Sequence, residues 1–247
     1  MNNKQQSAQF KTRHNQRRPD AWGQPYRYIA IQLRRVVGQM LSLSSDALSA
    51  PRVLDYGAAD SPYRELLPKA SEWVAADLGG NPQAQMQLNG DGSVPTGASE
   101  FDLVLSTQVL EHVADPALYL NECYRVLKPG GRLVLSTHGI MVWHPDPHDF
   151  WRWTSEGLKA AVERAGFELV AFRGAMGLAS CGLQLFQDAT HGRIWRRLRR
   201  PYAMFMQWLV GFADAYIDRE RRNLNALVFV LCAAKPLAEQ AQQQEHQ

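Results

Sequence analysis

The sequence predicts an α/β protein built on an open, doubly wound sheet of parallel strands, and three observations predict it. Short apolar runs of strand length alternate with longer stretches of three- and four-residue apolar spacing, the pattern of strands joined by helices. The first run, Arg52 to Tyr56, passes into Gly57-Ala58-Ala59 with the carboxylate of Asp55 at its end, the place where open α/β sheets bind ligands. A second run, Trp73 to Ala76, ends the same way, in Asp77 followed by the turn residues Leu78-Gly79-Gly80-Asn81-Pro82.

In chain order, Tyr26, Ile29, Leu33, Val36, Val37, Met40 and Leu41 form the stripe of an amphipathic helix over 26–43 that packs on a sheet edge or lids the pocket. After the first strand, Ser61-Pro62 offers an N-cap and a first-turn proline for a following helix. A third, weaker run, Gln85 to Leu88, leads into Asn89-Gly90-Asp91-Gly92, and a fourth, Phe101 to Ser106, is strongly apolar. Asp115 and Pro116 open a helix over 116–127 that Lys128-Pro129-Gly130-Gly131 stops. Arg132 to Thr137 is then a fifth strand, Thr154 to Ala165 a helix closed by Gly166, Phe167 to Phe172 a sixth strand and Ala226 to Ala233 a seventh. Roughly fifty residues separate the last two strands, too many for an ordinary connection, so 175–223 reads as a helical insertion with a purpose of its own.

With 247 residues the chain buries a sizeable core as one domain over 21–236, flanked by a basic, disordered tail at 1–20 and a glutamine-rich one at 237–247. The net charge of +3 is modest, with the basic residues bunched in the first tail and around Arg193 to Arg200. Cys123, Cys181 and Cys232 lie far apart, which predicts free thiols in a reducing compartment and no cysteine-based metal site. The polar start lacks a signal-peptide core and no apolar run is long enough to span a bilayer, so a cytoplasmic location is expected.

Val-Leu-Asp-Tyr-Gly-Ala-Ala-Asp from Val53, the acidic strand end at Asp77, Asp91-Gly92, the run from Phe101 through Glu111-His112-Val113, and Arg-Val-Leu-Lys-Pro-Gly-Gly-Arg-Leu from Arg125 together resemble the class I S-adenosylmethionine-dependent methyltransferases, within them the bacterial type 11 group. The resemblance covers about 52–172 plus the final strand. It implies a Rossmann-like, seven-stranded, mostly parallel sheet with its last strand antiparallel, and S-adenosyl-L-methionine as cofactor. Carried onto this sequence, it implies that Asp55, Gly57 and Ala59 border the methionine moiety, that Asp77 with Leu78 accepts both ribose hydroxyls, that Asp91 with Gly92 holds the adenine amino group, and that Thr107 and Gln108 also line the cofactor. Ala59 and Ser61 stand where the family usually has its second and third glycines. His144 to Thr154, His-Pro-Asp-Pro-His-Asp-Phe-Trp-Arg-Trp-Thr, resembles a segment of type 11 enzymes, many of them linked to cell-surface glycan synthesis.

The expected activity is methyl transfer to an oxygen of a small-molecule or saccharide acceptor, with a binding or scaffold protein that kept the fold as the rival reading and RNA methylation behind both. Glu111-His112 stands where the resemblance implies residues near the reacting methyl, and His112 either orients its loop or acts as a base; of His138, His144 and His148, any of which could accept the acceptor's proton, His148 is the second candidate base. His144, Trp151 and Arg152 are expected at the acceptor, although Arg152 also sits at pairing distance in sequence from Asp149. His138, His144 and His148 do not imply a metal, because two prolines between the latter pair forbid helical ligand spacing. The Arg- and Trp-rich stretch from Arg193 leaves open a substrate lid, a peripheral contact with anionic lipid, a nucleic-acid contact, or a helical subdomain packed on the core. Nucleic acid is disfavoured, since the chain has neither an RNA-binding module nor an Asn/Asp-Pro-Pro-Tyr/Phe motif. The sequence leaves the oligomeric state open.

Overall fold

The computed structural model describes residues 23–45 and 50–237; apart from Leu237, the two expected tails lie outside the described residues. Seven strands form one sheet in the order β3-β2-β1-β4-β5-β7-β6, with β1 Arg52–Tyr56, β2 Glu72–Asp77, β3 Met86–Gln87, β4 Phe101–Thr107, β5 Leu127–His138, β6 Glu168–Gly177 and β7 Ala226–Ala234. The first five run parallel, and β7 lies antiparallel between β5 and β6. Order reverses beside β1, so the carboxyl ends of β1 and β4 flank the crevice where such sheets hold ligands.

Strand side chains alternate between two cores, which is why the strands read as nearly continuous apolar runs. Leu54, Val104, Leu133, Leu135 and Leu231 face helices α2 (Pro116–Val126) and α3 (Ser155–Arg164). Val53, Leu103, Leu105, Val134 and Val230 face the other way, toward α1 (Arg27–Ser45) and α4 (Leu178–His191), with Val37, Met40 and Cys181 filling the space. Helix α5 (Arg199–Ala215) packs outside α1 and α4, and the short α6 (Arg219–Leu224) leads into β7. The insertion is therefore helical. Cys123, Cys181 and Cys232 are free and buried.

Three elements depart from the sequence expectation. No α-helix follows Ser61-Pro62, only a 3-10 turn at Arg64–Leu66. Ser61 is left-handed (φ 48°) and its hydroxyl donates to Asp55 Oδ2 at 2.8 Å, so the side chain that could cap a helix closes the turn instead. Lys128 to Gly131 does not separate a helix from a strand; β5 starts at Leu127, and the four residues bulge out between the pairs Phe101–Leu127 and Leu103–Arg132. Finally, β6 continues to Gly177, because β7 pairs with it along its whole length.

Candidate active site

Asp55 closes β1 as a buried carboxylate, 2% exposed, that accepts from Ser61 beneath the turn. Gly57 is left-handed (φ 79°), and a Cβ there would meet Val109 Cγ2 at 2.5 Å, so the glycine allows the loops after β1 and β4 to touch. Ala59 (φ 46°) and Ser61 are both left-handed, at the two positions where glycines were expected. The turn thus keeps its backbone path although the side chains have changed, and the path is held by Asp77, whose Oδ2 accepts from Ala59 N at 3.0 Å. Asp77 Oδ2 also accepts from Asn81 Nδ2 at 2.7 Å, and Oδ1 from Leu78 N at 2.8 Å. Leu78 itself is exposed, and Asp91, exposed beyond β3 and next to Gly92, has its carboxyl held low first by hydrogen bonds from Ser93. Carboxylates therefore stand in order at the ends of β1 and β2 and beyond β3, a donor-accepting row that suits a ribose and an exocyclic amine.

A pocket of about 180 Å³, lined by none of these carboxylates, opens at the ends of β4 and β5. Ile29 and Leu33 of α1, with Tyr26 just before it, form one wall, so the first helix borders the pocket as well as packing on the sheet. Thr107 and Gln108 after β4, Tyr63, and Val228 of β7 line it too. Gln108 is left-handed (φ 57°) and is tied to Ser136 of β5 by its amide at 3.1 Å and its backbone N–H at 2.9 Å.

Three imidazoles, His112, His138 and His144, enter the same pocket with ring centroids 6.0 to 6.3 Å apart. His112 ends the short 3-10 turn Leu110–His112; its Nδ1 lies 2.6 Å from the carbonyl of His148. A carbonyl only accepts, so Nδ1 carries the proton and the neutral ring keeps its lone pair on Nε2. Nε2 is 3.9 Å from Oε1 of Glu111, which is also 3.2 Å from His138 Nε2 but out of hydrogen-bond alignment with it. Glu111 is fully buried; burial raises its carboxyl to about 7 against the pull of a backbone bond and of the Thr137 hydroxyl, which donates to it at 2.8 Å. Burial, with Arg152, His144 and His112 adding, lowers His138 to about 3.

The segment from His144 to Thr154 meets some expectations and corrects others. Arg152 does not face an acceptor: its five N–H donors go to Asp149 Oδ1 and Oδ2 and to the carbonyls of Met141, Val142 and Trp151, at 2.5 to 2.8 Å. It has no donor left for a substrate anion. Burial opposes the Asp149 charge, yet Arg152 and the His144 N–H outweigh it and hold the carboxyl at about 2. His148 does not line the pocket; its exposed ring lies against Phe150, and the part it turns to the site is its backbone carbonyl. The Trp151 indole donates to Val113 O at 2.7 Å and likewise serves the loop. His144 does reach the pocket. Glu111, expected with His112 near the reacting methyl, and His138, one of the three histidines expected on the acceptor side, belong to the same neighbourhood, as does Asp146, which the sequence did not single out; nothing in the sequence marks Glu111 as buried.

Sheet order, the reversed β7 and the site at the switch point make this the Rossmann-like methyltransferase fold. A solved structure of the same fold, that of the [4+2]-cyclase SpnF, superposes with a TM-score of 0.54 at 18% identity, covering 90% of this chain and 85% of that one. Residues 54–135 match the family model of a methyltransferase domain. The ubiquinone biosynthesis O-methyltransferase of Dinoroseobacter shibae is 29% identical over 178 residues, 60% of this chain and 71% of that protein. The protein of the same name from Caulobacter vibrioides is 31% identical over 118 residues, 42% of this chain and 44% of its own. The matching domain, the sequence relatives and the fold support a class I S-adenosylmethionine-dependent methyltransferase with S-adenosyl-L-methionine as its cofactor. No helix among the described residues is long and apolar enough to cross a membrane.

Proposed function

We propose that the enzyme methylates a hydroxyl oxygen on a small acceptor about one ring in size, a phenol or a sugar. The observation that carries this reading is His112 in the pocket lining with its Nδ1 engaged by the His148 carbonyl, which leaves Nε2 as the nitrogen that can take a proton. The volume supports it, since a cavity of roughly 150 Å³ accommodates a benzene-sized ligand. The name shared by the two bacterial relatives also supports an oxygen acceptor. S-Adenosylmethionine supplies an already activated sulfonium methyl, so the protein's task is alignment, exclusion of water and removal of one proton.

In this reading the acceptor hydroxyl gives its proton to His112 Nε2, and Glu111, when ionised, lies 3.9 Å from the resulting imidazolium and stabilises it. His138, kept neutral by burial, walls the pocket without competing for the proton. Asp77 fits the ribose: Oδ1 has capacity for one further donor, and a second hydroxyl takes the place of Asn81 Nδ2 on Oδ2. Asp91 and Gly92 take the adenine edge, with the open backbone of Gly57 to Ala59 at the methionine end.

Calorimetric titration with S-adenosylmethionine and transfer of a labelled methyl to phenol-type and monosaccharide acceptors test the reading. His112→Ala should keep cofactor affinity and lower turnover by about 10²-fold, the lower end for losing a general base. His148→Ala, which retains the carbonyl that matters, should turn over almost normally. Equal loss in both variants, or none in His112→Ala, refutes the assignment.

A further inference from the structure

Helix α5 turns the wrong face outward for a helix that packs only on its own protein. Its inner side carries Ala203, Met206, Val210 and two polar side chains, Gln207 and Asp214. Gln207 Nε2 lies 2.8 Å from the carbonyl of Pro25 and 3.0 Å from each of the amide oxygens of Gln184 and Gln187. Asp214 accepts from Gly177 N, Ser180 Oγ and Tyr28 OH. The outer side carries Phe205, Trp208 and Phe212, 56%, 62% and 53% exposed, with Tyr216 just beyond the helix at 76%. Successive rings lie 6.2, 5.9 and 5.0 Å apart, a file of aromatic surface along one helix face. Amphipathic surface helices place such residues inside and the polar ones outside.

The charge leading into the file has one sign. Arg193, Arg196, Arg197, Arg199 and Arg200 precede or open the helix, and no acidic residue occurs between Gly192 and Asp214. Trp195 and Leu198, both exposed, are interleaved with them, and the Arg197 guanidinium lies 5.7 Å from the Trp195 ring centroid. The far end is balanced, with Arg219, Arg221 and Arg222 against Asp214, Asp218 and Glu220, Arg221 lying 3.3 Å from Asp218 and Arg222 3.5 Å from Asp214.

We propose that this face, from Arg193 to Tyr216, seats on an anionic lipid bilayer, with α5 lying in the plane of the interface. Aromatic rings enter the boundary between headgroups and acyl chains while arginines meet lipid phosphates, the arrangement of a peripheral amphipathic helix. The helix is too polar on its inner side to cross the bilayer. A second copy of the chain is the poorer occupant: paired in the same direction the face sets one basic end against another, and in the opposite direction that end meets one whose charges already balance, whereas lipid phosphates complement it. The docked helix rests on α1, whose next residues wall the pocket, since Gln207 Oε1 accepts from Tyr28 N at 2.7 Å.

The test is flotation of the full-length protein with phosphatidylcholine vesicles that contain or lack phosphatidylglycerol, at low and high salt. The protein should float with the phosphatidylglycerol vesicles at low salt and stay behind with phosphatidylcholine alone. Phe205→Ser/Trp208→Ser and Arg196→Glu/Arg197→Glu should each weaken vesicle binding by on the order of tenfold. Both alter exposed side chains, so circular dichroism and cofactor affinity should match the parent. The basic N-terminal tail is present in every variant, so the difference between them reports on the helix. Absence of flotation, equal binding to both vesicle types, or binding undiminished in Phe205→Ser/Trp208→Ser overturns the proposal. A dimer at sedimentation equilibrium that the same double variant dissociates overturns it in favour of self-association.

Discussion

Replacing Glu111 by glutamine removes the most deeply buried charge in the site, and its effect on stability can be worked out with sign. Burial raises the Glu111 carboxyl from 4.5 to about 7, and lowers the neighbouring His138 from 6.5 to about 3. In the unfolded chain both return to their ordinary values. As pH falls, the folded pair takes its first proton near 7, on the carboxylate; the unfolded pair takes its first near 6.5, on the histidine. Between there and 4.5 the two states hold equal numbers of protons, so the pair gives the wild type no pH slope. In Glu111→Gln only the histidine remains, and stability falls by about 1.4 kcal/mol per unit as pH drops below 6.5. Relative to wild type, the variant is relieved of an ionised buried carboxylate above 7 and of nothing below 4.5, an interval of 2.5 units. The variant should therefore gain about 3 kcal/mol on the wild type between pH 4.5 and about pH 8. Any pH-independent change in the Thr137 hydrogen bond cancels in that difference. Urea unfolding followed by circular dichroism at the two pH values measures it, and a difference that stays within about 0.5 kcal/mol shows that Glu111 is not held as argued.

Ala59→Gly should stabilise the protein by about 0.5 to 1 kcal/mol, because relief of a left-handed alanine exceeds the added freedom of the unfolded chain, and the Ala59 N to Asp77 bond is a backbone bond that survives; a destabilised variant in urea would contradict the strain. Arg152→Lys should lower stability by about 2 kcal/mol, since one ammonium cannot serve Asp149 and three carbonyls together, and turnover should fall while cofactor affinity holds; unchanged melting with a raised KM for the acceptor would return Arg152 to the acceptor.

The strands were legible because a parallel sheet covered on both faces leaves runs such as Phe101 to Thr107, which no amphipathic helix resembles. The cap at Asp115 was equally plain, accepting from the first turn of its helix, whereas Thr154, read as the first helical residue, is the cap of the next one. Where reading failed, the missing information was long-range. Ser61 and Pro62 form a sound local helix start, but Asp55, six residues earlier in sequence, takes the serine hydroxyl. The strand ends at Asp55 and Asp77 could be found from their own neighbours, whereas burial of Glu111 depends on Thr137 and His138 arriving from β5. Left-handed Ala59 and Ser61 mark the same limit from the other side, since their conformation belongs to the turn and not to their residue types.

The segment from His144 to Thr154 concentrates residue types associated with catalysis, yet its groups mostly hold other groups in place. Glu111 O accepts from the backbone of Phe150 at 2.8 Å and of Trp151 at 3.3 Å, and His138 O accepts from Trp153 N at 3.0 Å. Val113 O accepts from the Trp151 indole, His112 Nδ1 donates to the His148 carbonyl, and Arg152 with Asp149 locks the backbone of Met141 and Val142. These contacts bind the turn at Leu110–His112 to the end of β5 and set the His112 tautomer. A histidine that must offer one particular nitrogen needs its other nitrogen tied to a rigid acceptor, and a carbonyl carried by a loop with a fully engaged arginine is rigid. On this reasoning the segment acts on the chemistry through His112 and His144, so substitutions that loosen it should change turnover before they change cofactor affinity.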